Sequence, residues 1–201
     1  MRGQRVVLAT GNPGKLRQFS ELLDASGLDL VRQSDFGIEP PPETGSTFLE
    51  NSLLKARNAA RLTGLPAIAD DSGIEVDALG GRPGLYSARY AGEGASDEQN
   101  LRKMLLELEN VQPPRTARYR SIIVFLSRPD DPAPLIGEGV WEGAIATAPR
   151  GTGGFGYDPI FIPRGDTRTA AELPVAERNE LSHRGQAARA FLAQMNTRAR
   201  G

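Results

Sequence analysis

The run LPAIADDSGIEVDALGGRPGLYSARYAG, residues 65–92, limits the possible folds more than any other stretch of the chain. Pro66, Ala67, Ile68 and Ala69 read as a short buried strand. That strand runs into two adjacent carboxylates, Asp70 and Asp71, and then into Ser72 and Gly73. A second strand-like run follows, in which Ile74 and Val76 alternate with Glu75 and Asp77. Gly80, Gly81, Pro83 and Gly84 then impose tight turns. Two readings of Asp-Asp-Ser-Gly stand side by side. It is a good turn sequence, and it is also a way to place carboxylates on a glycine bend at a sheet edge, where they can hold a hard cation.

Composition narrows what such a cation can be. There is no cysteine and a single histidine, His183, so thiolate and multi-histidine metal sites are excluded. A metal must rest on carboxylates and other oxygen ligands, which points to Mg²⁺, with Mn²⁺ as a substitute. The net charge of -1 gives no basic field for nucleic acid or an anionic membrane. No run approaches the roughly 18–20 apolar residues of a membrane span. The N-terminal apolar run Val6–Val7–Leu8–Ala9 is too short for a signal peptide, so a cytoplasmic location is expected. Arginine outnumbers lysine 21 to three, which draws attention to Lys15, Lys55 and Lys103.

In chain order, residues 5–9 read as a buried strand, followed by Thr10, Gly11, Asn12, Pro13, Gly14 and Lys15 and then a helix with Leu16, Phe19, Leu22 and Leu23 on one face. Strand, glycine loop and helix can point backbone N–H groups at an anion. A plain turn capped by Asn12, with Pro13 opening the helix, is the competing reading. It is not a Walker loop, because Ala9 and Leu16 stand where that motif needs Gly and Ser or Thr. Residues 29–33 form a second strand, and 34–46 a loop carrying Glu39 and Glu43. Residues 47–63 form a helix with Phe48, Leu49, Leu53, Ala56 and Ala60 inward, and with Glu50 and Lys55 off that stripe. Ser96 and Gln99 make a capping box for the next helix.

Residues 115–127 and 135–147 read as hairpin strands, with Arg118 and Arg120 on a solvated face. Gly151 to Asp158 is a second glycine-rich loop, leading into a strand over 159–163. Glycines interleaved with Phe155 and Tyr157 suit a flat ring stacked against close backbone, or equally a linker with core aromatics. Residues 174–181 make a short helix, and Ser182 caps a last one with His183 and Arg184 in its first turn. Cations there oppose the helix dipole, which suggests that they face a ligand. No linker or repeat divides the chain, so a single domain over residues 1–201 is expected. Early interleaving of strands and helices before a hairpin predicts an α/β fold with a mixed sheet and flanking helices.

Five segments together, TGNPGK, PETGSTFLENSLLKA, ADDSGIEVDALGGRPGLYSARYAG, GTGGFGYDPIF and AELPVAERNELSHRGQA, closely resemble the inosine/xanthosine triphosphate pyrophosphatases, in order and from end to end. The resemblance implies an elongated α/β fold in two lobes around a central active-site cleft. It implies a Mg²⁺-dependent homodimer that hydrolyses ITP, dITP and XTP to monophosphate and pyrophosphate. By position, Thr10 to Lys15 resemble the phosphate-contacting loop and Lys55 the helix lysine that reaches the triphosphate. Glu43 and Asp71 match the metal carboxylates, with Asp71 also the proton acceptor, and Ser72 a substrate contact. Phe155, Gly156, Tyr157 and Asp158 resemble the base-stacking loop, and His183 and Arg184 the base-edge readers. Arg178 departs from the lysine of the family, replacing a point charge by a planar fork.

The chemistry agrees with this assignment. Cleaving a phosphoanhydride with water needs neutralised charge, an oriented water and a stabilised leaving group. Carboxylates with a hard cation and two lysines supply these. The rival readings are a related pyrophosphatase that prefers pyrimidine or modified nucleotides, and a sensor that binds nucleotide without turnover.

Overall fold

The structure, a computed structural model, describes residues 3–198. Its strands are β1 (Arg5–Leu8), β2 (Asp29–Arg32), β3 (Ala67–Val76), β4 (Thr116–Leu126), β5 (Leu135–Ile145) and β6 (Phe161–Pro163). The helices are α1 (Pro13–Leu23), α2 (Phe48–Thr63), α3 (Asp97–Glu107), α4 (Val175–Leu181) and α5 (His183–Arg198). The six strands run in the order β2-β1-β3-β4-β5-β6. The sheet is mixed, as expected: β1 is parallel to β2 and β3, while β5 and β6 are antiparallel. Among the described residues no helix is long and apolar enough to cross a membrane.

The chain forms two compact units. The first comprises Met1–Asp71, Ser121–Gly139 and Arg184–Gly201, and the second Ser72–Arg120 and Val140–His183. In the first unit the period-2 alternation of strands builds a core on each face of the sheet. Val6, Leu8, Ile68, Ile123, Phe125 and Leu135 pack with Phe19 and Leu23 of α1 and with Ala187, Ala188 and Phe191 of α5. Val7, Ala9, Ala67, Ala69, Val124 and Leu126 pack with Ala56, Ala59 and Ala60 of α2. Alanine against alanine lets α2 lie close to the sheet, and that closeness brings a polar part of the helix onto β3.

The second unit has one aromatic and one charged face. Ile74, Val76, Tyr119, Trp141, Tyr157 and Phe161 pack with Leu101, Met104 and Leu108 around α3. Its capping box is formed as read, Ser96 Oγ accepting from Gln99 N–H and Gln99 Oε1 from Ser96 N–H. On the other face Arg118 and Arg120 are not simply solvated. Arg118 donates to Asp77 at 2.6 Å and lies 3.5 Å from Glu142, while Arg120 donates to Glu75 at 3.0 Å. Acidic residues one strand over turn a would-be solvent face into an ion-pair lattice.

Two further expectations are corrected. Asp70, Asp71, Ser72 and Gly73 make no bend at a sheet edge; they continue one ten-residue strand in the interior of the sheet. Burial beside cations lets the carboxylates stay in register. Gly73 serves a close approach, since a Cβ there would overlap the Gly84 carbonyl oxygen and lie 2.7 Å from Ser87 Oγ. The strand read over 159–163 is a 3₁₀ turn at Asp158–Ile160 followed by the short β6.

Candidate active site

The first unit gathers most of the charged residues singled out above. Lys55 is buried, contrary to its expected place off the inward stripe of α2; the inward face is centred on Asn51, Ser52, Lys55, Ala56, Ala59 and Ala60. The apolar periodicity missed this, because half of the inward face is polar: Asn51 and Lys55 reach Asp71, and Ser52 Oγ donates to Ile122 O at 2.9 Å. Lys55 Nζ donates to Glu43 Oε1 at 2.9 Å and to Asp71 Oδ1 at 3.0 Å. Asn51, one turn earlier, donates from Nδ2 to Asp71 Oδ2 at 3.1 Å. Burial pushes the Asp71 carboxyl above its ordinary value, against the pull of Lys55 and Lys15. Burial works against the Lys55 charge too, but Asp71, Asp70 and Glu43 outweigh it and raise its pKa.

Asp70 belongs to the opposite face of β3, the face of Ile68 and of α1 and α5. Its Oδ1 lies 3.0 Å from Lys15 Nζ, and its Oδ2 lies 3.7 Å from Arg184 Nε. Both contacts are ion pairs rather than well-directed hydrogen bonds. Arg184 also donates to Gln18 Oε1 at 3.3 Å. Burial would raise the Asp70 pKa, but Lys15, Arg184 and Lys55 hold it below its ordinary value. For Lys15, burial outweighs Asp70 and lowers the pKa.

The loop from Thr10 to Lys15 is built as the capped turn. Asn12 Oδ1 accepts from Gly14 N–H at 2.8 Å and from Lys15 N–H at 3.1 Å. Thr10 N–H donates to Leu8 O, Asn12 N–H to Thr10 Oγ1 and Leu16 N–H to Asn12 O. Pro13 has no N–H to give. The backbone N–H groups of Thr10, Asn12, Gly14 and Lys15 are thus engaged within the turn, and the Lys15 ammonium is turned to Asp70.

In the second unit the two readings of the glycine-rich loop divide by residue. Tyr157 is a core side chain whose hydroxyl donates to Ser87 O at 2.8 Å, and burial pushes its pKa up. Asp158 fastens the loop, accepting from Phe155 N–H at 3.2 Å and Tyr119 Oη–H at 3.3 Å. Gly156 N–H donates to Asp97 at 2.7 Å, and Phe155 is half-buried. Arg178 reaches Ala170 O at 3.4 Å, and the half-buried Ser72 stands in β3. His183 joins the aromatic side of this unit. Its ring lies flat on Tyr119, with centroids 4.5 Å apart and planes 4° apart, and Trp141 is stacked 6.5 Å away. Arg184 pairs with Asp70.

The Ham1 family model matches residues 6–194. The chain belongs to the Ham1 family. It is 58% identical over 196 residues to a dITP/XTP pyrophosphatase of Thioalkalivibrio sulfidiphilus, covering 96% of this chain and all of that one. It is 54% identical over 190 residues to the dITP/XTP pyrophosphatase of Escherichia coli K12, covering 94% and 96%. Among solved structures it is similar to a HAM1 protein from Coxiella burnetii, with a TM-score of 0.89, 46% identity and coverage of 96% and 99%. The Staphylococcus aureus Ham1 protein matches with a TM-score of 0.85, 37% identity and coverage of 97% and 100%. These matches bear out the family that the five motifs resemble.

Among the described residues of this Ham1 chain, no three or more His, Cys, Asp or Glu side chains are clustered to hold a metal ion. Glu43 and Asp71 nevertheless converge within 3.0 Å of one ammonium. Two hard oxygen donors around a cationic point fit Mg²⁺, which keeps waters and takes phosphate oxygens for its other ligands. A groove of about 620 Å³ beside α2, lined by Pro41, Leu54, Arg57 and Arg61, contains none of these residues. It lies on the helix face opposite Lys55.

Sequence reasoning missed Asn51, Gln18, Tyr119 and Trp141. Asn51 was findable, standing four residues before Lys55 and so on the same face of α2. Gln18 likewise stands three residues after Lys15 on α1. Tyr119 and Trp141 carry no local signal, because their link to His183 is made only by the sheet.

Proposed function

We infer that this chain hydrolyses deaminated purine nucleoside triphosphates, ITP, dITP and XTP, to the monophosphate and pyrophosphate. Its membership of the Ham1 family and its 54–58% identity to dITP/XTP pyrophosphatases support that activity. The observation that carries the reading onto particular atoms is Lys55 held between Glu43 and Asp71. In this proposal Glu43 and Asp71 hold Mg²⁺, and Mn²⁺ can substitute. When bound, such a cation neutralises phosphate charge and acidifies a coordinated water.

The remaining roles fall to side chains. Asp71 accepts the proton of the attacking water, a role favoured by the burial that raises its proton affinity. Lys55 exchanges its carboxylate partners for phosphate oxygens, and Lys15, with Thr10 and Asn12 beside it, meets the same chain. Arg178 adds a further cationic contact, and Ser72 touches substrate. Phe155, half-buried in its glycine-rich loop, stacks on the base. His183 and Arg184 donate to the 6-oxo group, His183 held in plane by Tyr119 and Arg184 directed by Asp70. The enzyme works as a homodimer on the cytoplasmic nucleotide pool, and light scattering of the purified chain checks the dimer.

The deciding experiment is pyrophosphate release from ITP, dITP, XTP, GTP and ATP, with and without Mg²⁺. Release confined to the 6-oxo purines other than GTP, and dependent on the cation, is the expected result. Nucleotide binding without release would point to a sensor instead.

A further inference from the structure

Two bridges join the loop bearing Glu43 to the Asp71 carboxylate, and they differ in kind. Lys55 is ionic, touching Glu43 at 2.9 Å and Asp71 at 3.0 Å. A cation that meets a triphosphate gives up part of such pairing. Asn51 is neutral and only 1% exposed. Its Nδ2 donates to Asp71 Oδ2 at 3.1 Å, and its Oδ1 accepts from Gly45 N–H at 2.8 Å. Only this orientation of the amide satisfies both partners, since a flip would set oxygen against carboxylate. Glycine is required at 45, because a Cβ there would lie 2.7 Å from both Asn51 Oδ1 and Glu50 Cβ. Glu50 fastens the neighbouring Ser46, accepting from its N–H at 2.7 Å, but is not bonded to Asp71.

We propose that Asn51 is a positioning residue. It keeps the Glu43 loop in register with Asp71 through a bond that carries no charge to trade with the substrate. This rests on the reading of Glu43 and Asp71 as the reacting site.

Amide hydrogen exchange in the ligand-free protein reads the tether without turnover. In Asn51→Ala the Gly45 N–H should exchange at least ~10-fold faster, while Ala56 and Ala59 of the same helix keep their protection. With ITP and Mg²⁺, kcat should fall about 10-fold or more and KM change by less than about threefold, because Asn51 acts through Asp71 and not on substrate. Asn51→Asp preserves volume and the acceptor for Gly45 but sets a carboxylate against Asp71. It should keep slow exchange at Gly45 and still lose kcat.

Gly45→Ala replaces no residue of α2 or β3 and forces the loop away from Asn51 and Glu50 in the first turn of the helix, so it decides the matter if the Asn51 variants fail to fold; it too should lose kcat. Wild-type kcat in any of the three variants, or unchanged Gly45 exchange in Asn51→Ala, overturns the proposal. If Asp71→Asn itself turned over normally, the reading of the site would fail. The Gly45 exchange rate would still report whether Asn51 holds the loop.

Discussion

Asp70 and Asp71 are adjacent in sequence, yet each holds its own lysine on its own face of β3. Lys15 lies 3.0 Å from Asp70, and Lys55 lies 3.0 Å from Asp71. Strand alternation produces this separation and allows one dipeptide to serve two purposes. Asp70 keeps two cations, Lys15 and Arg184, close together in the interior. Asp71, partnered also by Asn51 and near Glu43, is the carboxylate to which the proposed mechanism gives the proton transfer.

The two aspartates should therefore fail differently. Asp71→Asn should keep the fold and lose turnover by at least ~10²-fold, since the proton acceptor goes. Asp70→Asn leaves Lys15 and Arg184 without their shared counter-charge, a change that costs about 3–5 kcal/mol when a buried pair is broken. Its thermal midpoint should fall well below that of Asp71→Asn, with a smaller direct loss of kcat. Equal midpoints for the two variants would contradict this division of labour.

Lys55→Ala should weaken triphosphate binding by at least ~10-fold while altering monophosphate affinity less, because a point charge at the β/γ end is lost. Without the ammonium, Glu43 and Asp71 also face each other unneutralised. Titration calorimetry with ITP and IMP separates the two ligands. Equal losses for both would mean that Lys55 does not meet the distal phosphates.

The legible parts of the fold were those with a local period or cap. Asn12 before Pro13, Ser96 before Gln99 and the apolar face of α5 all form as read. Asp-Asp-Ser-Gly was misread because its residues are turn formers in isolation. Burial against Lys15 and Lys55 overrides that preference, and no feature within four residues announces those partners. Lys55 was misplaced for a related reason: a hydrophobic stripe is a poor guide where a helix face is built to hold charge. The platform under His183 comes from β4 and β5, more than 40 residues away in sequence, so only the assembled sheet could reveal it.

Asp131, in the turn between β4 and β5, sets a pH test far from the site. Its carboxylate accepts from Ser127 Oγ–H at 2.6 Å, Ser127 N–H at 2.9 Å and Ala133 N–H at 3.0 Å. Burial opposes the charge, but these donors lower its pKa from 3.8 to about 2. A depressed carboxylate pKa stabilises the fold above the unfolded value, and that stability is lost as pH falls through the folded one. Asp131→Ala should thus cost about 1–2 kcal/mol at pH 7, with the difference from wild type shrinking between pH ~4 and ~2. Urea unfolding at several pH values measures it, and a difference independent of pH would show that the lost contacts, not the charge, set the cost.

The stack of His183 on Tyr119 makes base selectivity testable without disturbing packing. Alanine at 183 would remove both the N–H donor and a ring lying 4.5 Å from Tyr119 in a nearly parallel plane. His183→Phe keeps a flat ring in that place and removes both ring nitrogens, the N–H donor among them. An unpaired or missing donor to the 6-oxo group is worth roughly 1–3 kcal/mol, or about 10–10²-fold in kcat/KM for ITP. The residual hydrolysis of ATP, whose 6-amino group gains nothing from that donor, should be unchanged or slightly raised. Arg184→Ala also releases Asp70 and Lys15, so it should lower every triphosphate alike in addition to its effect on the base. The decisive quantity is the ratio of ITP to ATP kcat/KM in His183→Phe. A ratio equal to wild type, with the thermal midpoint preserved, would reduce His183 to a packing residue and leave discrimination to be sought elsewhere.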